Sequence, residues 1–208
     1  MKKTLSILLA MAFAAVALAQ TPQEIISRME EEMTRHENEG IVMTVDIKIP
    51  IVGTVTSKVY TLGDKQRLEA KMLGVDFITW TDNDTQWEYN THKNEVEIKN
   101  LDPATNDDAS GDAGMFSGLA DGYDLSIQKE TADAWHILCK KSKTNGDKDD
   151  PKTINLVVNK GTYHPKSLKT KMSGMTMTMR DIAYGVKERQ VTFHPEDYPG
   201  LTIIDSRQ

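Results

Sequence analysis

Hydrophobic and polar positions divide this chain into three regimes. Leu5 to Val16 is an almost unbroken apolar run without a period. Ile25, Ile26, Met29 and Met33 then recur at helical spacing, with Arg28, Glu31, Glu32 and Arg35 on the other face. From Ile41 onward the period is two. In Ile41-Val42-Met43-Thr44-Val45-Asp46-Ile47-Lys48-Ile49 every odd position is apolar, the pattern of a half-buried strand.

The first regime reads as an export leader. Lys2 and Lys3 precede the apolar run, and Ala17-Leu18-Ala19 supplies the small-x-small pattern that a signal peptidase accepts, so cleavage is expected after Ala19. An uncleaved anchor is the alternative, but a bilayer span takes about 20 apolar residues and this run is shorter. No cysteine follows it to accept a lipid. Residues 20–208 are expected to form a single domain that works outside the cytoplasm.

The second regime is a helix from Pro22 to His36. Thr21 fits the N-cap, Pro22 the first helical position, and Glu24 can complete a capping box. In the third regime, strand patterns follow at Val55–Leu62, Gln66–Leu73, Asp76–Thr81, Gln86–Asn90 and Glu95–Lys99, with turn signals at Gly63-Asp64 and Asp82-Asn83-Asp84. Residues 102–122 interrupt them with an acidic, small-residue stretch holding one apolar knot, Met115, Phe116 and Leu119, and a short helix is expected near Gly114–Ala120. Strands resume at Tyr123–Gln128, Ala134–Lys140, Thr153–Asn159, Ser167–Lys171, Met175–Tyr184 and Arg189–His194, and Gly200–Asp205 is a last strand or an extended arm. Many short strands without intervening helices predict an antiparallel meander, mainly β with one helix (α+β). Such a sheet buries its apolar face by closing into a barrel, or by curling into a half-barrel covered by helices.

Charge and composition narrow the function. Removing Lys2 and Lys3 from the 25 basic residues leaves 23 against 31 acidic, a net charge of −8. That surface argues against nucleic acid and anionic membranes as partners. Cys139 is the only cysteine, so no internal disulfide forms, and its place in Trp135-His136-Ile137-Leu138-Cys139 is that of a buried core residue. The histidines are scattered, and no H-E-x-x-H, G-x-S-x-G, phosphate loop or Cys-His signature is present. Asn106, Asp108 and Ser110 partly mimic a calcium loop, but Ser117 stands where its closing glutamate belongs. Neither metal nor cofactor is expected, and binding is expected rather than catalysis. Asp82, Asp84 and Glu88 are the only carboxylates clustered near aromatics, and a solvated turn explains them.

The methionines carry more information. Met175-Thr176-Met177-Thr178-Met179 places three thioethers on one strand face, and Met29, Met33, Met43 and Met72 add others on expected inward faces. Long, unbranched and polarisable, methionine adapts to ligands of variable shape. A packed core and a deformable apolar cavity both fit this set.

Three segments carry a resemblance. Asp82-Asn83-Asp84-Thr85-Gln86-Trp87-Glu88-Tyr89-Asn90, Ala134-Trp135-His136-Ile137-Leu138, and Val191-Thr192-Phe193-His194-Pro195-Glu196-Asp197-Tyr198-Pro199-Gly200-Leu201 leading into Ile203-Ile204-Asp205 resemble the corresponding parts of LolA-type periplasmic lipoprotein carriers. The order of elements agrees across the chain. The resemblance implies an incomplete antiparallel β-barrel with a helical lid over an apolar cavity. It implies a monomeric carrier that takes acylated lipoproteins from an inner-membrane ABC-type release complex to an outer-membrane receptor. At about 0.8 kcal/mol per CH₂, three long acyl chains in water would cost on the order of 30 kcal/mol, so a carrier is physically required. Ile25, Met29 and Met33 would form one wall, and Met43, Val45, Ile47, Trp80, Trp87, Met175, Met177 and Met179 the sheet wall, with Phe116 and Leu119 in the lid. The family's basic lid-tying residue is matched in register by neither Lys65 nor Arg67. The same fold could instead serve a sensor that signals envelope stress through a partner protein.

Overall fold

A computed structural model describes residues 20–207 apart from 73, 102–115, 117, 147 and 149. The leader, the calcium-like loop and Met115 lie outside the described residues. Helix α1 spans Pro22–Arg35. Its N-terminus is closed by the expected capping box: the Glu24 amide donates to Thr21 Oγ1 at 3.2 Å, and the Thr21 amide donates to Glu24 Oε2 at 2.9 Å. Ile25, Ile26, Met29 and Met33 form its buried stripe. A 3₁₀ turn at Glu37–Glu39 leads to Gly40, whose φ of +68° starts the first strand.

Twelve strands follow among the described residues: β1 (Ile41–Ile49), β2 (Gly53–Leu62), β3 (Lys65–Met72), β4 (Val75–Asp82), β5 (Thr85–Asn90), β6 (Glu95–Asn100), β7 (Tyr123–Glu130), β8 (Ala134–Lys141), β9 (Thr153–Asn159), β10 (Pro165–Met172), β11 (Met175–Tyr184) and β12 (Thr202–Asp205). A short helix α2 (Leu119–Gly122) precedes β7, and another, α3 (Glu188–Val191), follows β11. All twelve strands join one sheet in the order β12-β6-β5-β4-β3-β2-β1-β11-β10-β9-β8-β7. Its end strands, β12 and β7, do not pair, so the sheet is an open half-barrel rather than a closed one. Meander hairpins build both halves, and the long-range pairing of β1 with β11 joins them at the centre.

Strand parity separates two faces. On one face, pairing runs in an apolar row from Ile127 through Ile137, Leu156, Leu168 and Met179 to Val45. Helix α1 packs on this side, and its stripe joins the same buried cluster. Beyond β4 the face turns polar: Glu88 and Glu97 lie opposite each other, and both pair with Lys99, at 2.9 and 3.1 Å. On the other face a row runs from Val42 through Tyr60, Arg67, Trp80 and Trp87 to Ile98.

That second row is covered by the segment after β11, which corrects one sequence expectation. Residues 189–194 are not a strand. The Lys187 amide donates to Gln190 Oε1 at 2.8 Å and opens α3. The alternating Val191 and Phe193 are instead used as plugs: Val191 is buried beside Tyr60 and Val186, and Phe193 packs on Trp80. The chain then reaches the sheet edge, where β12 runs parallel to β6, the one parallel pair among the described residues.

Candidate functional site

The α1 face carries the apolar surface on which a site could stand. Ile25 and Met29 are fully buried and Met33 nearly so, which places the three helix residues together against the sheet. Opposite them, Met43, Val45 and Met179 are buried, and the pairings Val45 with Met179 and Ile47 with Met177 keep the strand residues on one side. Phe116 and Leu119 belong to the same cluster and are almost completely buried. Helix α2 is tied to α1 through Glu30. Burial raises the Glu30 carboxyl pKa, and the Leu119 amide that hydrogen-bonds to it pulls it back down.

Burial is graded along β11. Met179 is 3% exposed and Met175 38%, while Met177 between them is half-buried. The core therefore opens towards the β10–β11 turn. Met172, which pairs with Met175, is 37% exposed there. Phe77 is 37% exposed on the same face, across β2 and β3. The result is a continuous apolar surface, closed under α1 and open at one end, with flexible thioethers at the opening.

Trp80 and Trp87 stand elsewhere. They pair with each other on the opposite face, where Trp80 lies 5.2 Å from Phe193 and 5.9 Å from Tyr198, centroid to centroid. The Arg67 guanidinium lies 5.4 Å from the Trp80 ring and 5.7 Å from Tyr60, and pairs with Glu69 at 2.7 Å. Lys65 pairs with Glu188 of α3. Lys65 thus ties the C-terminal cover to the sheet, and Arg67 stands on the face which that segment covers, away from α1. Alternation alone could not divide β2–β4 between faces, because both faces there carry apolar residues. The same ambiguity hid Val59, Leu68 and Phe77, which belong to the α1 face. Their signal was apolar residues at both parities, Val59 beside Tyr60.

Titratable groups near the site serve structure. His36 bonds Glu39 at 2.8 Å and Glu32 at 3.1 Å and stacks on Tyr184 at 4.5 Å. The Glu39 hydrogen bond holds its pKa above the ordinary imidazole value. His164 bonds the Ile182 carbonyl at 2.7 Å. Burial pushes the Cys139 thiol up to about 11, so it stays protonated and unreactive.

No protein-family model matches the chain, and no curated protein matches it. Among solved structures, the chain is similar to an uncharacterised conserved protein from Thermus thermophilus, at 16% identity and a TM-score of 0.47 over 89% of this chain and 99% of that one. It is similar to MucB at 16% identity and a TM-score of 0.48, covering 84% of this chain and 63% of MucB. It is also similar to a LolA superfamily protein from Nitrosomonas europaea, at 10% identity and a TM-score of 0.35, over 84% of this chain and 99% of that one.

Proposed function

We propose that residues 20–208 act outside the cytoplasm, in the periplasm, as a carrier domain that takes the acyl chains of lipoproteins onto the α1 face. In this reading residues 1–19 are the leader, removed after Ala19. The observation that carries it is the graded opening of the core along Met179, Met177 and Met175. An ordinary core would close at the strand ends, whereas this one leaves methionines at its mouth. An acyl chain entering there meets side chains that repack at little cost and continues towards Ile47, Val45 and Met43 beneath Ile25, Met29 and Met33. Phe116 and Leu119 are the residues that must give way, and Trp80 and Trp87, on the opposite face, are left out of the wall. Cargo would come from an inner-membrane ABC-type release complex and go to an outer-membrane receptor. No step requires a catalytic group or cofactor, since transfer follows the difference in affinity between donor, carrier and acceptor.

The test is release. Purified residues 20–208 are added to spheroplasts making a labelled lipoprotein, and the soluble fraction is examined for a one-to-one complex. A soluble complex is expected, and Met177→Asp should reduce it strongly, because a carboxylate against hydrocarbon is heavily penalised. If the lipoprotein stays on the membrane while the protein is folded, the carrier reading fails. A stable complex with an envelope protein and no lipid transfer would put a stress sensor in its place.

A further inference from the structure

Three central hairpins end at one rim of the sheet, between the β5–β6 turn and the β8–β9 connection. β1 turns into β2 through Pro50-Ile51-Val52, β3 into β4 through Gly74, and β10 into β11 through Ser173-Gly174. The order β4-β3-β2-β1-β11-β10 sets them side by side. Lys48 pairs with Thr176, so the last pairs of the two hairpins, Ile49 with Gly53 and Met172 with Met175, end level with each other.

What these tips display is unusual for water-facing turns. Ile51 is fully exposed at 107% and Val52 at 73%, with Met172 and Met175 exposed beside them. The Val52 amide donates to the Pro50 carbonyl at 2.8 Å, closing a three-residue turn with Ile51 at its centre. That turn holds Ile51 at φ +72°, a strained conformation for a β-branched residue. Glycine or asparagine would relieve the strain; isoleucine there puts an aliphatic side chain into solvent. Residues 48–53, 71–75 and 171–175 hold Lys48, Lys71 and Lys171 and no acidic, arginine or aromatic residue, although Asp76 and Phe77 follow directly on Val75; the tips are a local exception to the acidic surface, net −6 for the chain, that argues against anionic membranes. All three lysines are exposed. Lys71 lies 3.6 Å from Asp76, and neither Lys48 nor Lys171 forms an ion pair among the described residues. The turns at the opposite rim, Gly63-Asp64 and Asn83-Asp84, carry acidic residues and no exposed large apolar side chain.

We infer that this rim docks on an anionic phospholipid surface, with Ile51 and Val52 entering the headgroup region and Lys48, Lys71 and Lys171 against the lipid phosphates. Aliphatic tips flanked by lysine match the two signals of a reversible interfacial anchor, apolar burial and attraction to anionic lipid. Protein interfaces favour aromatic residues and arginine and are depleted in lysine, the reverse of these tips. The mouth marked by Met172 and Met175 lies on the same rim, so docking would bring the open end of the apolar surface to the bilayer. The docking itself does not require that an acyl chain bind.

Flotation tests it. Residues 20–208 are mixed at low salt with vesicles of phosphatidylethanolamine and phosphatidylglycerol, or of phosphatidylcholine alone. Binding to the phosphatidylglycerol vesicles is expected, weakened by salt, with little binding to phosphatidylcholine. I51D/V52D should lower the bound fraction about tenfold or more, and K48E/K171E should do the same. Both pairs are exposed, so thermal melts should match the parent. No flotation of the parent with phosphatidylglycerol vesicles overturns the inference, and so does unchanged flotation of both variants. Loss of lipoprotein release by Met177→Asp with flotation intact would separate this rim from the carrier site.

Discussion

Replacing Phe193 by alanine tests how the two faces of the sheet are divided. Phe193 is half-buried and its ring lies 5.2 Å from Trp80, 6.4 Å from Trp87 and 6.1 Å from Tyr198. Each such pair contributes about 0.5–1.5 kcal/mol beyond simple burial. Removing a fully buried phenylalanine costs about 3–5 kcal/mol, and partial exposure brings the expected loss here to about 2–3 kcal/mol. For a domain of this size that lowers Tm by about 5–10 °C. Urea unfolding followed by circular dichroism measures the loss. A Trp135→Phe background leaves Trp80 and Trp87 as the only tryptophans. In that background Phe193→Ala should shift emission to the red, because the change opens the cover over Trp80. Acyl-chain binding should be unchanged, since Phe193 faces away from α1. A loss under about 0.5 kcal/mol with unmoved emission would refute the packing of the C-terminal segment on Trp80. Loss of lipid binding in a folded variant would return the tryptophans to the ligand wall.

Two further outcomes follow from single residues. The pKa of His36 is raised in the folded state, so its protonation adds stability that is present below the unfolded value of about 6.5 and fades as pH rises through the folded one. The gap in urea midpoint between the parent and His36→Gln should therefore be wider at about pH 6 than at about pH 8, and a gap that widens with pH contradicts this sign. Gly40 has φ +68°, and a Cβ there would lie 2.4 Å from the Thr61 carbonyl oxygen. Gly40→Ala should cost at least about 2 kcal/mol in denaturant unfolding, and a neutral substitution would show that the α1–β1 junction is looser than described.

The local elements were legible because their signals are local. Thr21, Pro22 and Glu24 specify where α1 begins, since a capping box needs only neighbours in sequence. The alternation in Ile41–Ile49, Thr153–Asn159 and Met175–Tyr184 marks three strands at their observed bounds. Burial of Cys139 could be read from Trp135 and Ile137 on its own strand. The methionine face of β11 was visible for the same reason.

The tertiary structure decided what alternation cannot encode, which face of the sheet is which. Trp80 and Trp87 are as apolar as Met177, and a period of two says only that neighbours in a strand point apart. Their assignment to the face away from α1 depends on register carried across six strands, and on Phe193 and Tyr198 arriving from the chain's far end. Residues 189–194 misled for a related reason: Val191 and Phe193 alternate as a strand would, yet they plug a surface instead of extending an edge. Composition and period thus determined strands, helix and an apolar face with methionines. The division of that apolar content between a closed core, an aromatic seal and an open mouth was set by long-range pairing, whose energy is shared among residues far apart in sequence.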